Sequence, residues 1–213
     1  MIGENAPTGL SIALSVPDLT LRASDGTQFA LVGSTLQQAM TWAGQRFATQ
    51  GARSVGVHAR DYDMPVSPLK SGDRFVGHLA ELAELARWYD VGLDALTPCV
   101  SSPTLRAGAS RATTIRIWPH HFDMGAILYL DATSDDRQIG IGLSPGDGSY
   151  AEPYLYVTPY PLVATPVFPP LPSGTWRREG WTGAVLTGTE INAGADVHAF
   201  VAAAIEGARS VIA

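Results

Sequence analysis

Thr113-Thr-Ile-Arg-Ile-Trp118, Met124-Gly-Ala-Ile-Leu-Tyr-Leu130 and Arg137-Gln-Ile-Gly-Ile-Gly-Leu-Ser144 are three short runs rich in Ile, Leu and aromatic residues. Runs of this length between turn-forming residues predict β-strands. Asp131–Asp136 reads as the polar turn between the last two, Ser144-Pro-Gly-Asp-Gly-Ser149 as a tight loop, and Tyr154–Thr158 as a further strand. Pro159–Pro172 is too rich in proline to join a sheet interior. Thr182–Thr187 predicts a last strand. Asp196–Val211 predicts a final helix with Val197, Val201, Ile205 and Ala208 on its apolar face.

Upstream, Leu10, Ile12, Leu14 and Val16 alternate with small residues, the period of a strand with one buried face. Leu19–Arg22 and Gln28–Val32 flank Ser24-Asp25-Gly26-Thr27, a hairpin signal because Asp and Gly both tolerate positive φ. Ser34 and Gln37 have the spacing of a capping box, opening a helix with Leu36, Met40, Ala43 and Phe47 on one face and Gly51 as its terminator. Val55 and Val57 suggest a return strand, and Asp61–Ser71 a loop. The strongest helical pattern is Phe75, Leu79, Leu82, Ala86, Tyr89, Leu93 and Leu96, with Asp73 as N-cap and Pro98 as the stop. Gly92 weakens its last turns by about 1 kcal/mol relative to alanine. Thr97–Ala112 is a Ser/Pro/Gly/Thr-rich connection.

These elements predict an α+β fold: mostly antiparallel sheet packed with three helices. Both halves run strands-then-helix, which suggests pseudo-duplication. The expected organisation is one domain, 1–213, with halves about 8–97 and 113–213.

Composition narrows the function classes. Charged residues are 16% of 213, low for a globular chain, with 22 Gly and 15 Pro, as strands and tight turns require. The formal net charge is −6 and no basic run exists, which argues against nucleic acid and anionic membrane as partners. Cys99 is the single cysteine, so no internal disulfide can form, and a cytoplasmic location is expected. Met1–Pro17 does not read as a signal peptide, and no stretch approaches the roughly 20 apolar residues of a membrane span.

Trp118-Pro-His-His-Phe-Asp123 places two of the five histidines beside a carboxylate. In an extended segment, alternation puts His121 and Asp123 on one face and His120 on the other, with Trp118 and Phe122. His121 and Asp123 are then candidate ligands for a divalent metal ion, or a hydrogen-bonded acid/base pair. A third group is needed, and Glu152 and Asp147 are the candidates, Glu152 being held extended by Pro153. Adjacent histidines after Trp-Pro also suit strand-end capping, and Glu152 also suits a surface carboxylate. Tyr154 and Tyr156 share a strand face and, with Trp118, Trp176 and Trp181, are candidates to stack on a small ligand or to fill core. Trp176-Arg-Arg-Glu-Gly-Trp181 suits an anion clamp or a surface turn. His78, His198 and His58 carry no signal, and no nucleophile elbow or phosphate loop is present.

The ordered set Trp118-Pro-His-His-Phe-Asp123, Gly142-Leu-Ser-Pro-Gly-Asp147, Tyr150-Ala-Glu-Pro-Tyr-Leu-Tyr156, Pro159-Tyr-Pro161 and Trp176…Gly180-Trp-Thr-Gly-Ala-Val-Leu186 resembles an uncharacterised bacterial family with a domain of unknown function. The resemblance covers roughly residues 113–187. It implies no activity. It does imply that His120, His121, Asp123, Asp147, Glu152, Trp176 and Trp181 belong to one constellation.

The expected function is a small-ligand pocket at His121, Asp123 and Glu152. In one version a metal ion held by His121, Asp123 and either His120 or Glu152 activates water, with the remaining carboxylate as general base. In another the pocket binds without catalysis, its polar groups orienting a ligand against the aromatic rings. In a third the segment is buried structure in a scaffold or homo-oligomer.

Overall fold

The computed structural model describes residues 9–49, 67–101, 108–118 and 121–213. The fold is α+β and mostly sheet, with compact units at Met1–Ala86 and Arg87–Ala213.

In the first unit, β1 (Ile12–Ser15), β2 (Thr20–Ala23) and β3 (Gln28–Ala30) form an antiparallel meander in sequence order. The Asp25-Gly26 hairpin forms as its residues require. Gly26 takes φ +88°, and Asp25 Oδ1 accepts hydrogen bonds from the Thr27 N–H and hydroxyl. β1 has no clean buried face, since all four residues are partly exposed. α1 (Leu36–Thr49) opens with a capping box one residue later than expected: Thr35 Oγ1 accepts from the Gln38 N–H while Gln38 Oε1 accepts from the Thr35 N–H. Ser34 is buried instead, donating to Leu31 O. The expected Gly51 terminator, the Val55/Val57 strand, His58 and most of the Asp61–Ser71 loop lie outside the described residues. Pro68–Ser71 is a short 3-10 turn capped by Ser67.

The helix expected from Phe75 begins later and ends later. α2 spans Leu79–Ser101 and runs through Pro98. Proline removes one N–H near the helix end, and buried Ala95, Leu96 and Cys99 hold the last turn in place. The hydroxyls of Thr97 and Ser101 bond back to Leu93 O and Thr97 O. No helix among the described residues is long and apolar enough to cross a membrane.

The second unit is built on a seven-stranded antiparallel sheet. Its strands are β4 (Arg111–Ala112), β5 (Arg116–Trp118), β6 (Asp123–Tyr129), β7 (Gln138–Ser144), β8 (Tyr154–Tyr160), β9 (Thr175–Arg177) and β10 (Gly183–Thr187). The order is β4-β6-β7-β8-β10-β9, with β5 also pairing β6. Of the expected run Thr113–Trp118 only Arg116–Trp118 is strand, as β5, and β4 lies just before the run. β8 continues past its expected end, and Pro159 pairs opposite Ile139. The sheet tolerates this proline because β10 pairs with β8 only up to Ala184↔Val157, leaving that flank of Pro159 open.

One sheet face is apolar core. Leu128, Ile139, Ile141, Leu143, Leu155, Val157 and Leu186 are fully buried, each contributing about 1.5–3 kcal/mol. α4 (Val197–Ser210), N-capped by Asp196, packs Phe200, Val201, Ala204 and Ile205 against β7, β8 and β10. α2 approaches the same face at Gly92, where an added Cβ would lie 3.0 Å from Leu143 Cβ. Gly92 thus serves close packing. A fourth helix, α3 (Gly188–Asn192), was not expected; Thr187 and Glu190 form its capping box.

Candidate functional site

The opposite face of the sheet is shaped by glycine. Gly125, Gly142 and Tyr156 stand in register across β6, β7 and β8, and Ile127, Gly140 and Thr158 form the next row. A Cβ on Gly125 would lie 2.9 Å from Ile141 O, and one on Gly142 would lie 2.7 Å from Met124 O and overlap the Tyr156 phenol. Bare backbone here leaves a furrow, and the Tyr156 ring lies along it to reach β6. Its hydroxyl donates to Asp123 Oδ2. Two residues earlier on the same face, Tyr154 Oη donates to Asp147 Oδ2 at 2.7 Å. Two tyrosines on one strand therefore hold two aspartates from different loops and strands.

A cavity of about 200 Å³ opens at these pairs, lined by His121, Asp123, Ser144, Asp147, Tyr154, Tyr156, Thr158 and Trp181. The aromatic wall is continuous: Trp181 stacks on Tyr154 at 6.3 Å between ring centroids, and Tyr150 lies 4.9 Å beyond. The Arg177 guanidinium sits over the Tyr150 and Trp181 rings at 5.3 and 5.5 Å.

Electrostatics separate the two aspartates. Burial tends to raise the Asp147 carboxyl. Hydrogen bonds from Tyr154 and the Ser149 and Tyr150 N–H groups, with attraction from Arg177, bring it below the ordinary value. Asp123 Oδ1 is buried and has no hydrogen-bond partner among the described residues. Burial, then the negative charge of Asp123, pushes the Tyr156 hydroxyl far above its usual range, and burial does the same for Tyr154.

His121 and Phe122 form a turn rather than an extended run, so the alternation argument fails for His121 and Asp123. Trp118 pairs with Asp123, and the Phe122 N–H donates to Trp118 O. Phe122 takes φ +59°, a conformation costing a bulky residue roughly 1–3 kcal/mol. Tyr89 of α2 holds it, donating to Phe122 O at 2.7 Å and placing its ring 6.1 Å from the Phe122 ring. The turn still delivers His121 and Asp123 to the same cavity.

Six of the expected site residues thus meet: His121, Asp123, Asp147, Tyr154, Tyr156 and Trp181. Others stand elsewhere. Glu152 Oε2 accepts from the Thr189 N–H at 2.6 Å and hydroxyl at 2.7 Å, satisfying the first turn of α3 rather than facing the cavity. Trp176 donates to Pro169 O and stacks on Phe168. Trp118 is half exposed on β5 and does not line the cavity. His120 lies outside the described residues. Among the described residues, no three His, Cys, Asp or Glu side chains gather as a metal site would require. His198, unremarkable in sequence, pairs with Asp94 at 3.1 Å.

Sequence reasoning missed Tyr89, Ser144 and Thr158 as site residues. The available signal was the alternation Gly140-Ile-Gly142, which marks a strand face without side chains and hence a place for another chain segment or a ligand. No family model, curated protein or solved structure matches the chain.

Proposed function

We propose that residues 87–213 form a small-molecule-binding module whose ligand enters the cavity between Asp123, Tyr156, Tyr154 and Trp181. One observation carries this reading: Asp123 Oδ1 is withdrawn from water beside an aromatic wall, with no donor to satisfy it among the described residues. A buried acceptor left unpaired costs about 1–3 kcal/mol, and a ligand donor would recover that energy. A cavity of about 200 Å³ lies below the roughly 300–1,000 Å³ of drug-sized sites, which favours a single ring or a short chain.

The metal-hydrolysis reading is the weaker one. Of its expected third ligands, Glu152 is engaged by Thr189 and His120 lies outside the described residues. The acidic balance and the lack of basic runs favour a small molecule over nucleic acid. A reducing, cytoplasmic setting is consistent with Cys99, a lone buried thiol pushed up to about 11 by burial.

The test is a thermal-shift screen of wild-type protein against sugars, organic acids and amines, paired with elemental analysis of protein purified without chelator. A compound that raises Tm in the wild type and not in Trp181→Ala supports the module. Stoichiometric metal lost in His121→Ala would revive hydrolysis. No shift from any class, in metal-free protein, would leave the scaffold reading.

A further inference from the structure

The hydrogen-bond inventory of the cavity is lopsided, and the geometry points to a small organic cation, a protonated or quaternary amine, as the ligand of this site. This inference rests on the binding reading above and adds the chemical class. Three of the four hydroxyls that line the cavity have committed their protons. Tyr154 donates to Asp147, Tyr156 to Asp123 and Thr158 to Gly140 O, while Ser144 Oγ accepts from the Gly146 N–H. Setting aside His121, the Ser144 hydroxyl and the Trp181 indole N–H, the polar groups that remain for a ligand are acceptors: the hydroxyl lone pairs and Asp123 Oδ1, which has no partner among the described residues. A ligand that brings only acceptors would face mostly acceptors. A ligand that brings N–H or polarised C–H groups would complete the set.

Charge points the same way. Among the described residues the lining holds two carboxylates, one histidine and no lysine or arginine. Arg177 is not among the lining residues: its guanidinium lies over Tyr150 and Trp181, its Nε is buried without a partner among the described residues, and its charge acts on Asp147. Asp123 is thus the carboxylate left to face the ligand. The ring faces are suited to this role, because the aromatic quadrupole attracts a cation by about 0.5–2 kcal/mol per desolvated contact. Arg177 shows that this cluster already attracts one cation. An anionic ligand would meet two carboxylates. A sugar would stack on Trp181 but bring as many acceptors as donors.

Calorimetric titration of the full chain with choline, ethanolamine, 3,3-dimethylbutan-1-ol and glucose separates these. The alcohol has the shape of choline without the charge. We expect choline or ethanolamine to bind at least about tenfold more tightly than the alcohol, a margin set by one cation–carboxylate and one cation–ring contact. Asp123→Asn, checked for folding by circular dichroism, should remove most of that margin. Equal binding of choline and the alcohol, or tighter binding of glucose, overturns the cation while leaving the pocket standing. If neither amine binds but another compound from the thermal-shift screen does, the cation falls alone; if nothing binds at all, both readings fall.

Discussion

The two faces of the seven-stranded sheet are made from the same strands and have opposite contents. On the helix-covered face, β7 presents Ile139, Ile141 and Leu143, all fully buried. On the other, the same strand presents Gly140 and Gly142, and the space they leave is occupied by Thr158 and the Tyr156 phenol. Glycine inside a strand weakens it by roughly 0.5–1 kcal/mol relative to alanine. The helix-covered face supplies stability well beyond that cost. One face therefore holds the fold, and the other is released from packing to hold polar groups in unfavourable surroundings.

The contrast breaks most sharply at the core. Phe200→Ala empties a fully buried site on α4 and should lose about 3–5 kcal/mol in urea unfolding. Any molecules still folded should bind ligand as the wild type does, because Phe200 does not line the cavity. A change in affinity at constant fold would mean that the two faces are coupled.

Gly142→Ala asks whether the furrow is needed. The new methyl would overlap the Tyr156 ring and press on Met124 O, so either the ring leaves or β6 shifts. A loss of about 1–3 kcal/mol is expected, as for other over-packed sites, together with weakened binding. A variant of wild-type stability and affinity would show that Tyr156 does not need this space.

Tyr156→Phe is expected to lose less, about 1–2 kcal/mol, because it leaves Asp123 without its tyrosine donor but creates no cavity. It also has a pH signature. The folded-state pKa of Tyr156 is raised by burial and by Asp123, from the ordinary value of 10.0. The stability linked to the neutral phenol is fully present below that ordinary value. It is lost as pH rises above it, where the unfolded tyrosine ionises and the folded one does not. Unfolding free energies from pH 8 to 11 should therefore decline less steeply in Tyr156→Phe. Parallel curves would argue that Tyr156 is not enclosed.

Much of this contrast could be read in the chain before folding, because its signals are local. Asp25-Gly26 specified its turn, Asp196 capped α4, and the alternating Tyr154/Tyr156 pair fell on one face as the strand period requires. The capping box moved from Ser34 to Thr35 because two adjacent hydroxyls compete, and the register is settled by the burial of Ser34. Pro98 and Pro159 have the intrinsic preference of breaks, and the packing that overrides it is not local in sequence. In the site, His121, Asp123 and Trp181 converge, yet the extended geometry first invoked for His121 and Asp123 is a turn with Phe122 at positive φ. Tyr89, which holds that turn, is 33 residues away, and no local pattern announces such a contact.

Glu152 gives the smallest and most selective test of the divide. Its sequence context, held extended before proline, suited an aimed catalytic carboxylate. Its carboxylate instead meets the Thr189 N–H and hydroxyl, while the Pro153 carbonyl accepts from the Gly188 N–H. Two consecutive residues thus satisfy the start of α3, where backbone donors lack helical partners and negative charge is favoured. Glu152→Ala should reduce stability by about 1 kcal/mol, the usual scale of a lost helix cap. Glu152→Gln, which keeps the acceptor and drops the charge, should recover part of it. Neither variant should change ligand affinity. A base or metal ligand would behave in the reverse way, with little effect on unfolding and a large effect on binding or turnover in both variants. That pattern would move Glu152 back to the cavity and make the glycine-lined face a catalytic one.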